Sequence, residues 1–158
     1  MSMIPQTESY LTFKLDNELF AINVSKVLEI LEVTPITKVP KSPTFMKGVI
    51  NLRGNILPVI DTRNKFSMPL EDFTIDTCII VLNINTGKDS LLIGAVVDSV
   101  QKVIDISADS IQPSVSMGVY YREDFINGIA KVEEDFIMIL DIDKVFSAED
   151  LSVMEVDN

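Results

Sequence analysis

Tyr10-Leu11-Thr12-Phe13-Lys14-Leu15 alternates apolar and polar positions with the period of a half-buried strand. Asp16-Asn17 then offers a turn, and residues 19–23 read as the returning strand. Further strand candidates cover 27–33 and 37–39, punctuated by Pro35 and Pro40. From Gly48 to Arg63 the chain reads GVINLRGNILPVIDTR, two apolar runs around a polar turn. Gly54-Asn55 suits the positive φ of a tight hairpin. Pro58 has no N–H to give, which predicts an edge strand or a bulge. Asn85-Thr86-Gly87-Lys88 joins strands over 79–83 and 91–97, and strands over 100–106 and 136–140 complete the set. The predicted helices are short: 43–46, 108–111, and an acidic closing helix N-capped by Ser147. The pattern predicts an all-β chain, mainly strand with short helices, built as small barrels.

The pattern also repeats. Phe45-Met46-Lys47-Gly48-Val49-Ile50-Asn51-Leu52 aligns without gaps with Phe125-Ile126-Asn127-Gly128-Ile129-Ala130-Lys131-Val132. The match continues through Arg53-Gly54-Asn55 against Glu133-Glu134-Asp135, then Asp61 against Asp141 and Phe66 against Phe146. Upstream, Phe20-Ala21-Ile22-Asn23-Val24 matches Ile93-Gly94-Ala95-Val96-Val97, and residues 27–31 match 100–104. Two copies in the same order indicate a duplicated supersecondary unit rather than a solenoid. The expected division is one domain over 8–146, with a first unit at about 8–77 and a second at about 78–146. Their terminal strands are open to exchange, and an acidic helix or tail follows over 147–158.

Composition narrows the function. The 158 residues are 47% apolar, enough for a core in one compact unit or two very small subdomains. The net charge is −11, unevenly spread: residues 1–66 carry 8 basic and 6 acidic side chains, residues 67–158 carry 5 and 18. Such a surface repels phosphate backbones, and no basic aromatic stripe is present, so nucleic acid is excluded as a partner. The acidity serves solubility, or marks a polarised module with two different faces. With no histidine there is no Ser-His or Cys-His pair, and Cys78 lies in the strand-like run Cys-Ile-Ile-Val-Leu with no base beside it. No phosphate loop of Walker or Rossmann spacing occurs. Asp141-Ile142-Asp143 reads as a cap rather than a metal site. The chain is read as a non-enzyme with no cofactor and no metal; a small carboxylate-based enzyme is the alternative of a different class, with no carboxylate cluster to carry it. The start lacks a secretory signal, and no apolar run approaches the roughly 20 residues of a membrane span, so a soluble cytoplasmic protein is expected.

The hairpin Gly-Val-Ile-Asn-Leu-Arg-Gly-Asn-Ile-Leu-Pro-Val-Ile-Asp-Thr-Arg resembles the motif of the CheW family, the coupling proteins of bacterial chemotaxis. Phe20 to Val24, Val27 to Ile30, Gly94 to Val100 and Phe125 to Gly128 are similar too, so the resemblance runs from about Tyr10 to Phe146. The family also includes the regulatory domain of the kinase CheA and the front part of CheV; with no kinase or receiver segment here, a free-standing coupling protein fits best. The resemblance implies two tandem SH3-like five-stranded β-barrels packed side by side, with a short C-terminal helix. It implies an adaptor without catalysis that bridges the cytoplasmic tip of a chemoreceptor (a methyl-accepting chemotaxis protein) to the regulatory domain of CheA within signalling arrays. A CheW-like scaffold of a non-chemotaxis pathway is the nearer alternative.

Arg53 stands where the second unit has Glu133, so two similar hairpins carry opposite charge at the turn. Arg53 is read either as a turn residue paired with Asp61 or Glu29, or as an anchor at the receptor groove, which the resemblance favours. The receptor-binding positions implied by the resemblance are Val27, Glu29, Gly48, Arg53 and Val103. Val27 and Val103 are equally readable as core, and Gly48, repeated by Gly128, as a backbone requirement. For the kinase, the expected positions are Glu32 and Gly54, at a barrel end.

Overall fold

Strands β1 (Thr7–Leu15) and β2 (Glu18–Asn23) form the first hairpin of a computed structural model that describes residues 6–85, 89–112 and 126–145. Asp16 and Asn17 make its turn with φ of 52° and 67°, a region these two residues tolerate. Then follow β3 (Val27–Glu32), β4 (Met46–Leu52), β5 (Asn55–Asp61), the short helix α1 (Thr62–Lys65), β6 (Cys78–Asn85), β7 (Ser90–Val97) and β8 (Ser99–Ser107). The chain continues through β9 (Ile111–Gln112), β10 (Ile126–Val132), β11 (Asp135–Leu140) and α2 (Ile142–Val145). The predicted class, mainly strand with short helices, is the one observed.

The strands form two sheets, ordered β3-β6-β7-β5-β4 and β8-β1-β2-β11-β10-β9. Each sheet draws two strands from the other half of the sequence: β6 and β7 join the first-half strands, and β1 and β2 join the second-half strands. The exchange keeps register. β5 pairs with β7 in parallel at Val59–Gly94, and β11 pairs with β2 in parallel at Ile139–Ala21, the same two repeat positions. The order within one sheet thus reproduces that of the other, strand for strand, with β9 added.

Burial explains the apolar run at Cys78. Ile80, Leu82 and Ile84 of β6 point into a core shared with Leu11, Phe13 and Leu15 of β1. Ile79 and Val81 face a second core with Ile50, Leu57 and Val59, inside their own sheet. Tyr10, Ala21, Ala130, Ile137 and Ile139 build the matching core in the other sheet. The exchanged strands are therefore buried on both faces, and a strand with two buried faces loses its alternation.

The sheets curl around these cores but do not close as the expected five-stranded barrels. Among the described residues no ladder joins β3 to β4 or β8 to β9. The open edge of β4 is taken instead by Thr37, which gives its N–H to Val49 O (2.9 Å) and accepts from Val49 N–H (2.8 Å). In the other sheet β9 stands beside β10 in the same way, Gln112 opposite Ile129.

Local differences from the sequence reading have local causes. Residues 43–46 form a turn closed by Met46 N–H on Pro43 O, not a helix. Residues 37–39 contribute the single bridge at Thr37. Pro58 lies in an interior strand, opposite Val49 in a pair whose Val49 backbone groups face Thr37. Pairing of β5 with β7 starts only at Val59, so no ladder bond is asked of the proline. The turn at 86–88, Phe125 and the 147–158 helix or tail lie outside the described residues.

One ionic cluster ties the sheets together. Arg63, nine-tenths buried on α1, donates from Nε and Nη2 to the two carboxylate oxygens of Asp98 (2.8 and 2.5 Å) and from Nη1 to Pro69 O (2.7 Å). Asp98, between β7 and β8, also accepts from the N–H of Asp16 in the β1–β2 turn (2.7 Å). Burial works to raise the Asp98 pKa, but the Arg63 hydrogen bonds and charge, with the Asp16 N–H, hold it below the usual carboxylate range.

Candidate partner-binding surface

The β4–β5 hairpin has two turn residues, Arg53 and Gly54, between the closing pair Leu52 and Asn55. Both have positive φ, 51° and 88°, as a tight hairpin requires. The turn is thus one residue earlier than Gly54-Asn55, and Asn51 explains why an arginine is tolerated there: its Oδ1 accepts from Gly54 N–H at 2.7 Å, bracing the backbone. Glu133 sits at the equivalent turn with φ of 56°.

The curl of the sheet brings this turn to β3, although β3 and β4 are its opposite edges. Arg53 Nη2 donates to Glu29 Oε1 at 2.6 Å. Of the two acids considered for Arg53, Glu29 is therefore the partner; Asp61 is engaged as the N-cap of α1, accepting from Asn64 N–H. The hydrogen bond from Arg53 holds the Glu29 carboxyl below the usual range, and Glu29 raises the guanidinium. Two-thirds of the Arg53 side chain remains in water, so most of its donors face outward.

The remaining positions fall on several elements of both sheets. Val27 opens β3, half-buried against the shared core. Glu32 closes the same strand and is exposed. Gly54 is exposed, and a Cβ there would meet nothing within 4 Å. Gly48 is buried on β4 opposite Val59, against Ile36 and Thr37. A Cβ on it would lie 2.2 Å from Thr37 O, and on Gly128 2.5 Å from Gln112 O. Val103 lies on β8 in the other sheet and is exposed; no hydrogen bond or ion pair joins it to the Arg53 turn.

The sequence reading passed over three exposed apolar residues: Leu28 and Ile30 on β3, where Ile30 alternates with the half-buried Glu29, and Ile56 on β5. The repeat supplies a counterpart: Ile30 corresponds to Val103 and Ile56 to Phe136, both exposed as well. The only signal for these residues was their place in the repeat, since apolar strand residues read as core by default. The charges between them invert. Glu29 and Arg53 correspond to Lys102 and Glu133, which line an open cavity of about 280 Å³ with Lys14 and Asp135. Among the described residues no group of three or more metal-ligating side chains converges. Nor is any helix among them long and apolar enough to cross a membrane. The surface offers charge and apolar contact, which suits recognition.

Comparison with known proteins gives the same direction. The CheW-like domain model matches residues 9–150. The chemotaxis protein CheW of Klebsiella aerogenes is 33% identical over 148 residues, covering 94% of this chain and 87% of that protein. The chemotaxis protein CheW of Rhizobium meliloti is 31% identical over 140 residues, covering 89% and 88%. Among solved structures, the scaffolding protein TtCheW of Thermoanaerobacter tengcongensis matches with a TM-score of 0.78 and 32% identity, over 92% of this chain and 96% of that one.

Proposed function

We propose, from the premise that the chain belongs to the CheW-like domain family, that it is a chemotaxis adaptor bridging chemoreceptor tips to the kinase CheA. It has no catalytic step in this reading, acts in the cytoplasm, and is recruited to receptor arrays at the membrane. Family membership supports the class of function. The observation that carries the site is the exposed Arg53, held by the hydrogen bond from its Nη2 to Glu29.

The receptor tip is a helical bundle, and a helix docks through an apolar face flanked by polar anchors. In this reading Arg53 offers its outward donors to receptor carboxylates or carbonyls. Glu29 fixes the direction of the fork. Val27 and Val103 contribute apolar surface, and Gly48 acts by letting β4 lie against Thr37. The regulatory domain of the kinase uses the strand edge and hairpin near Glu32 and Gly54, with Leu28, Ile30 and Ile56 as apolar contacts.

Separate pull-downs with a receptor tip fragment and a kinase regulatory domain test this, comparing wild type with Arg53→Glu. Binding to both, with loss of the receptor alone in Arg53→Glu, is the expected result. Retention of both partners by Arg53→Glu would reduce Arg53 to a surface turn residue. No binding by the folded wild type to either would refute the bridge.

A further inference from the structure

A second apolar surface lies at the other end of β5, on the segment joining α1 to β6. Leu70, Phe73 and Ile75 are 62, 39 and 99% exposed. A connecting segment has no folding need for three large apolar side chains in water. The segment is nevertheless held in shape. Arg63 fixes it at Pro69 O, and Met68 N–H bonds Arg63 O at 2.8 Å. Downstream, Thr74 N–H donates to Thr77 Oγ1 (2.8 Å), Asp76 N–H to Thr74 Oγ1 (3.1 Å) and Thr77 N–H to Thr74 O (3.2 Å). Lys47 Nζ stands 5.0 Å from the Phe73 ring centroid. The apolar side chains are thus displayed from a braced backbone, which lowers the entropy cost of binding.

The charges around them select the occupant. Glu71, Asp72 and Asp76 are interleaved with the apolar residues, and all three are exposed. Leu70, Glu71 and Asp72 line an open cavity of about 580 Å³ with Asp61 and Lys47. Carboxylates in this density repel nucleic acid and anionic lipid surfaces. They disfavour a second copy of this chain, whose net charge is −11. A protein segment with Lys or Arg between apolar residues complements both features.

We propose that residues 70–76 form a docking surface for a basic amphipathic protein segment. Its apolar side chains pack on Leu70, Phe73 and Ile75, while its cations pair with Glu71, Asp72 and Asp76. Arg53 precedes β5 and this segment follows it, so about 20 Å of strand separates the two surfaces and both accept partners together.

The test uses the full chain and labelled helical peptides of about five turns, one Lys/Leu amphipathic and one Lys/Ser of equal charge. Fluorescence anisotropy should show binding of the Lys/Leu peptide only. Leu70→Ser with Ile75→Ser, and separately Glu71→Gln with Asp72→Asn, should each weaken it about tenfold or more. Asp105→Asn with Asp109→Asn should leave it unchanged. Retained thermal melts establish that the variants fold, and amide shift changes confined to 70–76 locate the peptide independently. Equal loss with the distant acid pair, equal binding of the Lys/Ser peptide, shift changes elsewhere, or no binding overturns the proposal.

Discussion

Gly48→Ala separates a residue that contacts a partner from one that shapes the surface. The added Cβ would sit 2.2 Å from Thr37 O and 2.8 Å from Ile36 Cγ2, at a φ of +153°. Carbon and oxygen do not approach that closely, so residues 36–37 must withdraw from β4. Withdrawal strains or breaks the two Thr37–Val49 hydrogen bonds of 2.9 and 2.8 Å. At about 1 kcal/mol net each, plus about 1–2 kcal/mol for an alanine at that φ, the expected loss is about 3–4 kcal/mol. Two other glycines calibrate the value. Gly54→Ala meets nothing within 4 Å and carries only the φ of +88°, so it should cost about 1 kcal/mol. Gly128→Ala meets Gln112 O at 2.5 Å without a positive φ, so about 2 kcal/mol is expected. Urea unfolding followed by circular dichroism gives all three values. A Gly48→Ala loss no larger than that of Gly54→Ala would refute the reasoning. So would a Gly48→Ala protein of wild-type stability that had lost receptor binding, since Gly48 would then be a contact.

Three further outcomes are expected. Asp98→Asn should cost about 2–3 kcal/mol at pH 7, because the nine-tenths-buried Arg63 loses its main counter-charge, and Arg63→Met should cost less, because Asp98 is one-third exposed and can be hydrated. The folded pKa of Asp98 is depressed, so its contribution is full above the unfolded value of about 3.9 and fades as pH falls through the lower folded value; urea midpoints of wild type and Asp98→Asn should converge in acid. Arg53→Glu should leave Tm almost unchanged, because the pair is exposed, while receptor binding falls. Residues 1–77 and 78–158 expressed separately should show no cooperative unfolding, and mixing them should restore it; a fold in either half alone would contradict the strand exchange.

Much of this was legible because strand periodicity and repeat spacing are local properties of the chain. The hairpin around Arg53 and the correspondence of Gly48 with Gly128 both follow from such spacing. What failed depended on contacts distant in sequence. Pro58 predicts an edge strand or a bulge, yet β5 is an interior strand, and the proline falls where no ladder bond is needed. Strand pattern and family resemblance both predict closed barrels, but Thr37 and β9 stand at the edges a seam would use. The apolar surface of Leu28, Ile30 and Ile56 was hidden because an apolar residue in a strand carries no mark of which way it faces. Arg63 stands at the end of the hairpin motif, and nothing local ties it to Asp98 across 35 residues.

The exchange of strands bears on why a duplicated fold suits a bridge. A duplication with intact halves gives two independent units joined by a linker. Here each sheet is completed by two strands of the other half, and Phe13, Phe20 and Ile80 share one core. The two surfaces are thus held rigidly to each other by the fold itself. The same duplication makes them equivalent in shape, with Ile30 and Ile56 matched by Val103 and Phe136. Equivalent surfaces would bind the same partner twice. Reversal of charge, Glu29 and Arg53 against Lys102 and Glu133, removes that equivalence without disturbing either hairpin. Like charges facing each other across a contact are penalised as strongly as opposite charges are favoured. A partner matched to one surface is therefore mismatched to the other, and the charge reversal gives one rigid body two surfaces of different preference.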